Sequence, residues 1–264
     1  MDQTGNMVSL IDSHCHLDLE PLHSLLPHIV QEARSVGVCG YLVPGVNPDG
    51  WPGISALAEE NFQILPAYGI HPMHAGCLDD FVLEQLRQRA LQGIAIGEIG
   101  LDPSYHVPME LQERVFRDQL RLAVSCGLPV LIHCRRAFQR VLTIMVEEHA
   151  DQVGGIMHAF SGSVEMAGEF IRLNFAISIS GTVTWNNAVK PLRLACELPL
   201  EHLVLETDAP DMTPQRYRGV FNRPAWITET AQRVAEVRGC PLEDIARATT
   251  ANVRRILRNV SDSP

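Results

Sequence analysis

Short apolar runs recur along the chain, and several are followed by a stretch whose apolar residues repeat at helical spacing. The stretches after the first, fourth and eighth runs show this spacing most clearly. Runs that are apolar at nearly every position, without alternation, are typical of parallel strands covered on both faces. The pattern therefore predicts eight strands, at residues 8–12, 38–43, 63–70, 94–97, 129–132, 154–157, 174–180 and 203–206.

Strands that alternate with helices, joined by connections too long for hairpins, indicate a parallel sheet. Eight such units in roughly 250 residues match the size of a TIM barrel. We therefore predict an α/β fold: a (β/α)8 TIM barrel forming a single domain over residues 1–264, with an extra C-terminal helix at residues 241–257. An open, doubly wound sheet is the alternative, but no GxGxxG motif follows the first predicted strand.

Composition places the chain among ordinary globular proteins. It has 264 residues, 46% apolar and 20% charged, which argues against disordered and collagen-like classes. No apolar run approaches the ~18 residues of a membrane span, and the first ten residues do not form a signal peptide pattern. Seven cysteines without a CxxC pair favour a reducing cytoplasm. We expect a cytoplasmic protein without membrane contact or obligate protein partner, beginning at Met1 or Met7.

The charge balance bears on the class of substrate. The chain carries 21 basic and 31 acidic residues, a formal net charge of −10, and has no basic tail or block. This argues against broad electrostatic binding to nucleic acid. A nucleic-acid substrate held locally, by metal ions and a few arginines, remains compatible with it.

Histidines and carboxylates stand where the predicted strands end. In a barrel these ends converge on one face, where active sites form. Imidazole and carboxylate groups are ligands for zinc, manganese and related ions. Residues two positions apart in extended backbone point the same way, so an HxH pair can share one ion. The residues in these positions are His14 and His16, His71, Glu98, His133, His158, Glu206 and Asp208.

The histidines at these positions also have a simpler interpretation, because a lone histidine after an apolar run is more often hydrogen-bonded to its neighbours than bound to a metal. The carboxylates are harder to explain in that way. A carboxylate at the end of a buried strand, as at Glu98 and Asp208, is costly unless it is paired or binds a cation. The joint occurrence of these residues in register with the strand ends favours a divalent-metal site.

Six sequence blocks and two asparagines carry a resemblance to a known family. The blocks are DSHCHLD (12–18), GIHP (69–72), GEIGLD (97–102), LPVLIHCR (128–135), HAFSG (158–162) and ETDAP (206–210), followed by Asn222-Arg223-Pro224 and Asn252. From Ile11 to Leu257 the chain resembles the TatD-family metal-dependent deoxyribonucleases, which are amidohydrolase-like TIM barrels. It is most similar to a bacterial branch described only as metal-dependent hydrolases.

The resemblance implies two divalent metal ions per chain. His14, His16 and Asp208 would hold one ion, and Glu98 would bridge both. His133 and His158 would complete the second ion's ligands. The histidine-rich set favours zinc or manganese, with magnesium as the alternative.

The activity implied is hydrolysis of phosphodiester bonds by a 3′→5′ exodeoxyribonuclease acting on single-stranded DNA, with a water activated by two metal ions. Asp208 and Glu98 are the catalytic candidates, and we expect Asp208 to orient the water and accept its proton. The alternative is a hydrolase of a small phosphate ester, lactone or amide on the same metal site. The acidic charge and the lack of a basic groove lend weight to that alternative.

Four residues are predicted to contact the substrate. Arg135 follows a ligand and could donate two hydrogen bonds to a phosphate, a salt bridge within its loop being the alternative. His71 could donate to a phosphate oxygen or support a ligand carboxylate. Arg218 and Arg223, with Arg216, could form a basic rim on the loop after the eighth strand, or a solvated loop.

Three further residues are assigned supporting roles. Glu206 shares a face with Asp208, and we expect it to orient a ligand and not to act as a base. Asp102 is expected to fix a loop. Trp185, after the seventh predicted strand, could stack on a nucleobase.

Overall fold

A computed structural model describes residues 8–257. Within this range lies a sheet of eight parallel strands, each hydrogen-bonded to the next in chain order. At the seam, the Ser13 amide donates to the Leu205 carbonyl at 3.0 Å and the Asp208 amide donates to the His14 carbonyl at 2.9 Å, which closes the barrel. The strands are β1 (Leu10–Asp12), β2 (Val38–Pro44), β3 (Ile64–Tyr68), β4 (Ala95–Leu101), β5 (Val130–Cys134), β6 (Gly155–Met157), β7 (Phe175–Ile179) and β8 (Leu203–Leu205).

Helices surround the barrel because each has an apolar stripe that packs on the sheet and a polar face in water. In α4 (Met109–Cys126), Val115, Phe116 and Leu120 are buried, and the helix ends at Gly127 in the left-handed conformation, with φ 67°. The predicted TIM barrel and its extra C-terminal helix, here α9 (Leu242–Leu257), are confirmed. The helices are α1 (Leu26–Ser35), α2 (Trp51–Glu60), α3 (Asp80–Ala90), α4 (Met109–Cys126), α5 (Phe138–Glu147), α6 (Val164–Arg172), α7 (Lys190–Glu197), α8 (Ile227–Arg238) and α9 (Leu242–Leu257).

An apolar layer inside the barrel receives one residue from every strand. Helix α9 packs against this layer, and it does so at the amino-terminal ends of the strands. Thr250 donates to the carbonyl of Ser9, just before β1, and Asn252 donates to the carbonyl of Leu203, where β8 begins. The opposite end, where the strands finish, is left for the polar residues. The layer consists of Ile11, Leu42, Ala67, Ala95, Leu131, Ile156, Ala176 and Val204, with Val253, Ile256 and Leu257 from α9.

The fourth strand is longer than predicted. It runs to Leu101, so Glu98 lies within the strand and not after it. The pairing of β4 with β5 changes register between Ile96 and Ile99, so the strand is irregular around Glu98. The apolar pattern stops at this residue because a carboxylate serving the barrel interior interrupts it. The other seven predicted strands overlap the observed ones and differ by at most two residues at either end.

The described residues also bear on the membrane prediction. None of their helices is both long and apolar enough to span a bilayer. The predicted domain limits, residues 1 and 264, lie outside the described range, as do both candidate starts, Met1 and Met7.

Candidate metal centre

The first of two ligand groups forms around one oxygen of Glu98, a buried carboxylate in β4. Its Oε2 lies 3.4 Å from His14 Nε2 and 3.9 Å from His16 Nε2. Asp208 Oδ1 lies 3.7 and 3.8 Å from the same two nitrogens. Ligand atoms of His14, His16 and Asp208 all lie within 4.8 Å of one another. The end of β1 and the segment after β8 thus bring together one group of atoms that could hold a metal ion, with both histidines of the HxH pair in it.

The second group forms around the other oxygen of Glu98. Its Oε1 lies 2.9 Å from His133 Nδ1, 3.6 Å from His158 Nε2 and 3.8 Å from His71 Nε2. Ligand atoms of His71, Glu98 and His133 lie within 4.8 Å of one another. His71 thus stands among the candidate ligands, whereas the sequence interpretation gave it a substrate contact; that substrate role stays a prediction.

Buried nitrogens without partners indicate what the site can hold. His14 Nδ1, His14 Nε2 and His16 Nδ1 are buried and have no hydrogen-bond partner among the described residues. Such atoms are costly in a folded protein unless something binds them. Two ligands of a tetrahedral zinc ion stand roughly 3.4 Å apart. The first group's separations from Glu98 and Asp208, 3.4–3.9 Å, are close to that value. The residues therefore fit a divalent cation.

Burial sets the protonation of two of the histidines. It lowers the pKa of His14 to about 4 and the pKa of His71 to about 3. Both imidazoles are therefore neutral at pH 7, the form that binds a metal ion. Burial also disfavours the ionised form of Glu98, but the histidines packed around it outweigh this effect and hold the pKa of Glu98 well below its usual range.

Asp208 and His158 hold protons tightly. Burial raises the pKa of Asp208 well above its usual range. Burial disfavours the charged form of His158, but the carboxylates of Glu206, Asp208 and Glu98 outweigh it and raise the pKa of His158 to about 10. A divalent cation at this position would have to displace protons, so its affinity depends on pH.

Two carboxylates lie behind ligand histidines. Glu206 Oε2 is 3.1 Å from His158 Nδ1, and its Oε1 accepts a hydrogen bond from the Ala159 amide at 2.8 Å. Asp102 Oδ2 is 3.0 Å from His133 Nε2. Asp102 also accepts hydrogen bonds from Ser104, so it fixes its loop as expected and in addition contacts His133, which the sequence interpretation missed.

Asp12 is a further residue that the sequence interpretation missed. It is fully buried at the end of β1 and accepts hydrogen bonds from the Thr207 amide at 2.9 Å and the Thr207 hydroxyl at 2.5 Å. These bonds join β1 to the segment that carries Asp208. Burial raises the pKa of Asp12 to about 7. The cost of a carboxylate at the end of a buried run, already used for Glu98, is the signal that could have identified it.

The predicted substrate arginines have different surroundings. Arg135 is exposed just after β5, and no described carboxylate lies within ion-pair distance of it. The guanidinium of Arg218 lies 4.5 Å from the centre of the Trp185 ring. Arg223 instead donates to Glu32 at 3.0 Å. Arg135 and Arg218 are thus able to bind an anion, whereas Arg223 is already paired with Glu32. Substrate contact by all three stays a prediction.

Comparisons with known proteins identify the family and agree with the fold. The family described as TatD related DNase matches residues 11–258. The chain is 37% identical over 254 residues to the metal-dependent hydrolase YabD of Bacillus subtilis, covering 94% of this chain and 99% of that protein. The crystal structure of YjjV, a TatD homologue from Escherichia coli, is 34% identical with a TM-score of 0.91, covering 97% of this chain and 100% of that one. A PTE-like lactonase from Deinococcus radiodurans shares the fold alone, at 13% identity and a TM-score of 0.62, covering 95% and 96% of the two chains.

Proposed function

The chain belongs to the TatD-related DNase family of metal-dependent hydrolases, and from this membership we propose that it cleaves phosphodiester bonds as a 3′→5′ exonuclease on single-stranded DNA. One observation carries the proposal: the two oxygens of Glu98 face two different groups of histidine nitrogens. A pair of divalent ions held by such groups would acidify a water molecule and stabilise the oxygens of a phosphodiester. The preference for DNA and the polarity of attack rest on the family resemblance.

Asp208 is the group that we assign to the attacking water. Its Oδ1 stands 3.7–3.8 Å from the Nε2 atoms of His14, His16 and His158, in the middle of the ligand cluster. Bound cations that displace its proton would leave Asp208 as a carboxylate, the form that can orient a water molecule and accept a proton from it. Asp208 therefore orients the water and takes up its proton.

Arg135 is the group that we assign to a phosphate oxygen. It is two residues beyond His133, is exposed, and is not neutralised by a described carboxylate. A guanidinium can donate two parallel hydrogen bonds to a phosphate. In a chain with a net charge of −10, such local cations together with bound metal ions take the place of a basic groove.

Degradation of end-labelled DNA tests the proposal. Single-stranded DNA labelled at its 3′ or its 5′ end is incubated with the purified protein and magnesium, manganese or zinc, with and without a chelator. We expect release of the 3′ label as a mononucleotide, and loss of that release with the chelator. Asp208→Asn should fold normally and lose turnover by about a hundredfold or more, whereas Asp151→Asn, an exposed and distant match, should not.

Two results would contradict the proposal. Turnover in Asp208→Asn equal to that of the wild type would remove the role of Asp208. Absence of DNA degradation with every metal, in protein shown to bind two ions, would favour the alternative substrate, a small phosphate ester, lactone or amide. Chromogenic substrates of those three classes then identify the reaction.

A further inference from the structure

A cavity of about 360 Å³ lies between the loops that follow β6, β7 and β8. Its volume is that of a small-ligand pocket. On its wall, Ala159 follows the ligand His158 directly, and Met212 comes four residues after Asp208. The cavity therefore adjoins the metal centre on the carboxyl-terminal face of the barrel.

Apolar and aromatic side chains form most of the wall. Phe160 and Trp185 contribute rings, Val189 and Met212 contribute aliphatic groups, and Thr182 contributes a hydroxyl. A mainly apolar pocket with a few polar groups suits a flat ring, because base–aromatic stacking needs only the faces of two π-systems. A sugar or phosphate without a base would gain little binding free energy from such a wall.

The wall is held in place by contacts between the loops after β7 and β8. Trp185 Nε1 donates to the carbonyl of Thr213 at 2.9 Å. The two loops also meet closely at Gly181, where a Cβ atom would stand 2.4 Å from the carbonyl oxygen of Met212. A pocket fixed in this way binds its ligand without first ordering its own side chains, which favours affinity.

Two cations stand beside the cavity. Lys190, the only lysine of the chain, lines it, and its Nζ lies 3.4 Å from the carbonyl oxygen of Ser161. The guanidinium of Arg218 lies 4.5 Å from the ring centre of Trp185. In an acidic protein, cations next to an aromatic wall favour a ligand that joins a flat ring to an anionic group.

We propose that this cavity binds the nucleobase of the nucleotide whose phosphate is cleaved, with Lys190 pairing with an adjoining phosphate. The inference rests on the proposed function and adds a subsite to it. Trp185 provides the ring on which the base stacks, and the buried Phe160 forms part of the adjoining wall. The phosphate of the same nucleotide then lies at the metal ligands His158 and Asp208, whose loops form two sides of the cavity.

Equilibrium binding to the metal-loaded protein tests the inference. The probes are thymidine 5′-monophosphate and 2-deoxyribose 5-phosphate, which lacks the base. We expect the wild type to bind the nucleotide at least about tenfold more tightly. Ala188→Phe fills the cavity and should abolish this preference while changing the affinity for the sugar phosphate by less than about twofold. Ala56→Phe, exposed on α2, is the matched control and should keep the preference.

Trp185 gives a second test that does not depend on the folding of Ala188→Phe. Trp185→Phe keeps a ring and should keep most of the preference, whereas Trp185→Leu should lose it. Equal affinities for the two probes in the wild type, or full preference in Trp185→Leu, would overturn the inference. Neither measurement needs turnover: DNA degradation without base preference refutes only the pocket, and base preference without DNA degradation refutes only the exonuclease.

Discussion

Two of the candidate ligand histidines contact a carboxylate that lies behind them. Glu206 contacts His158 Nδ1 at 3.1 Å, and Asp102 contacts His133 Nε2 at 3.0 Å. Such outer contacts fix the direction of an imidazole ring and raise its basicity as a ligand. An ionised Glu206 can only accept hydrogen bonds, so it requires His158 to donate from Nδ1. The other ring nitrogen, Nε2, is then the atom that faces Glu98 and Asp208.

Glu206→Gln tests this positioning role. The amide NH2 would face the Nδ1–H of His158 with a donor, or else turn and lose the bond from Ala159. We expect metal affinity or turnover to fall by about 10–100-fold with the fold intact. The measurements are metal titration and DNA degradation. Glu201→Gln, an exposed match, should behave as the wild type; equal metal affinity and turnover in Glu206→Gln would remove the role.

The sequence predicted some of these residues and missed others for a physical reason. His14 and His16 could be paired because a spacing of two sets their common direction in extended backbone. The contact of Asp102 with His133 joins residues 31 positions apart, a separation that no local pattern encodes. The approach of His71 to Glu98 likewise joins separate segments of the chain.

At the scale of elements, one asparagine positions the segment after β8. The Asn222 amide donates to the carbonyls of Thr207 and Asp211, both at 2.8 Å, and so spans the residues on either side of Asp208. Asn252 of α9 makes a similar pair of bonds, at 2.8 Å, to the carbonyls of Leu200 and Leu203 at the other end of the barrel. The two asparagines therefore form a matched pair, one near the site and one far from it.

Asn222→Ala and Asn252→Ala should separate stability from activity. Each removes two hydrogen bonds to backbone carbonyls, and we expect each to lower the free energy of unfolding by about 1–3 kcal/mol. Only Asn222→Ala should also reduce turnover, by roughly tenfold or more, because it releases the segment that carries Asp208. Denaturant unfolding and DNA degradation measure the two effects. Similar turnover in the two variants would contradict this assignment.

The barrel itself was predictable, because eight apolar runs separated by helical patterns leave few other arrangements. The end of β4 was not. The sequence places Glu98 after the strand because its charge interrupts the apolar pattern, whereas the structure places it within the strand. A charged residue in a buried strand is stable only when other parts of the chain bring it partners, here His14, His133 and their neighbours. Those partners come from distant strands.

At the scale of the whole molecule, negative charge is concentrated at the carboxyl-terminal end of the barrel. Glu98, Asp102, Glu206 and Asp208 are all buried there. The arginines of the outer helices are largely engaged elsewhere, as in the pairs of Arg121 with Glu148 and Arg193 with Glu197. The site therefore gains much of its compensating positive charge from protons or from bound cations.

Metal ions should accordingly stabilise the folded protein, and more so at higher pH. At a free metal concentration of 100 times Kd, binding contributes about 2.7 kcal/mol, which raises Tm by roughly 5–10 °C. Because the pKa of His158 is raised to about 10 and that of Asp208 is also raised, bound protons compete with the metal at low pH. At one fixed metal concentration, the gain in Tm should therefore be larger at pH 8 than at pH 6.

Thermal unfolding with manganese or zinc, with and without a chelator, measures these gains. His14→Ala removes a ligand and should lose most of the gain. His28→Ala, exposed on α1, should retain it. A gain in Tm that is the same at both pH values, or that survives in His14→Ala, would show that the metal binds elsewhere.

The position of α9 has a consequence for the order of events during synthesis. Asp208 leaves the ribosome before α9, which begins at Leu242, so every candidate metal ligand is translated before Val253, Ile256 and Leu257. Until those three residues emerge, the apolar layer of the barrel has no cover at its amino-terminal end. We therefore expect the growing chain to carry all its candidate metal ligands before its apolar layer is covered. Between these two events it should be most prone to aggregate and most dependent on chaperones.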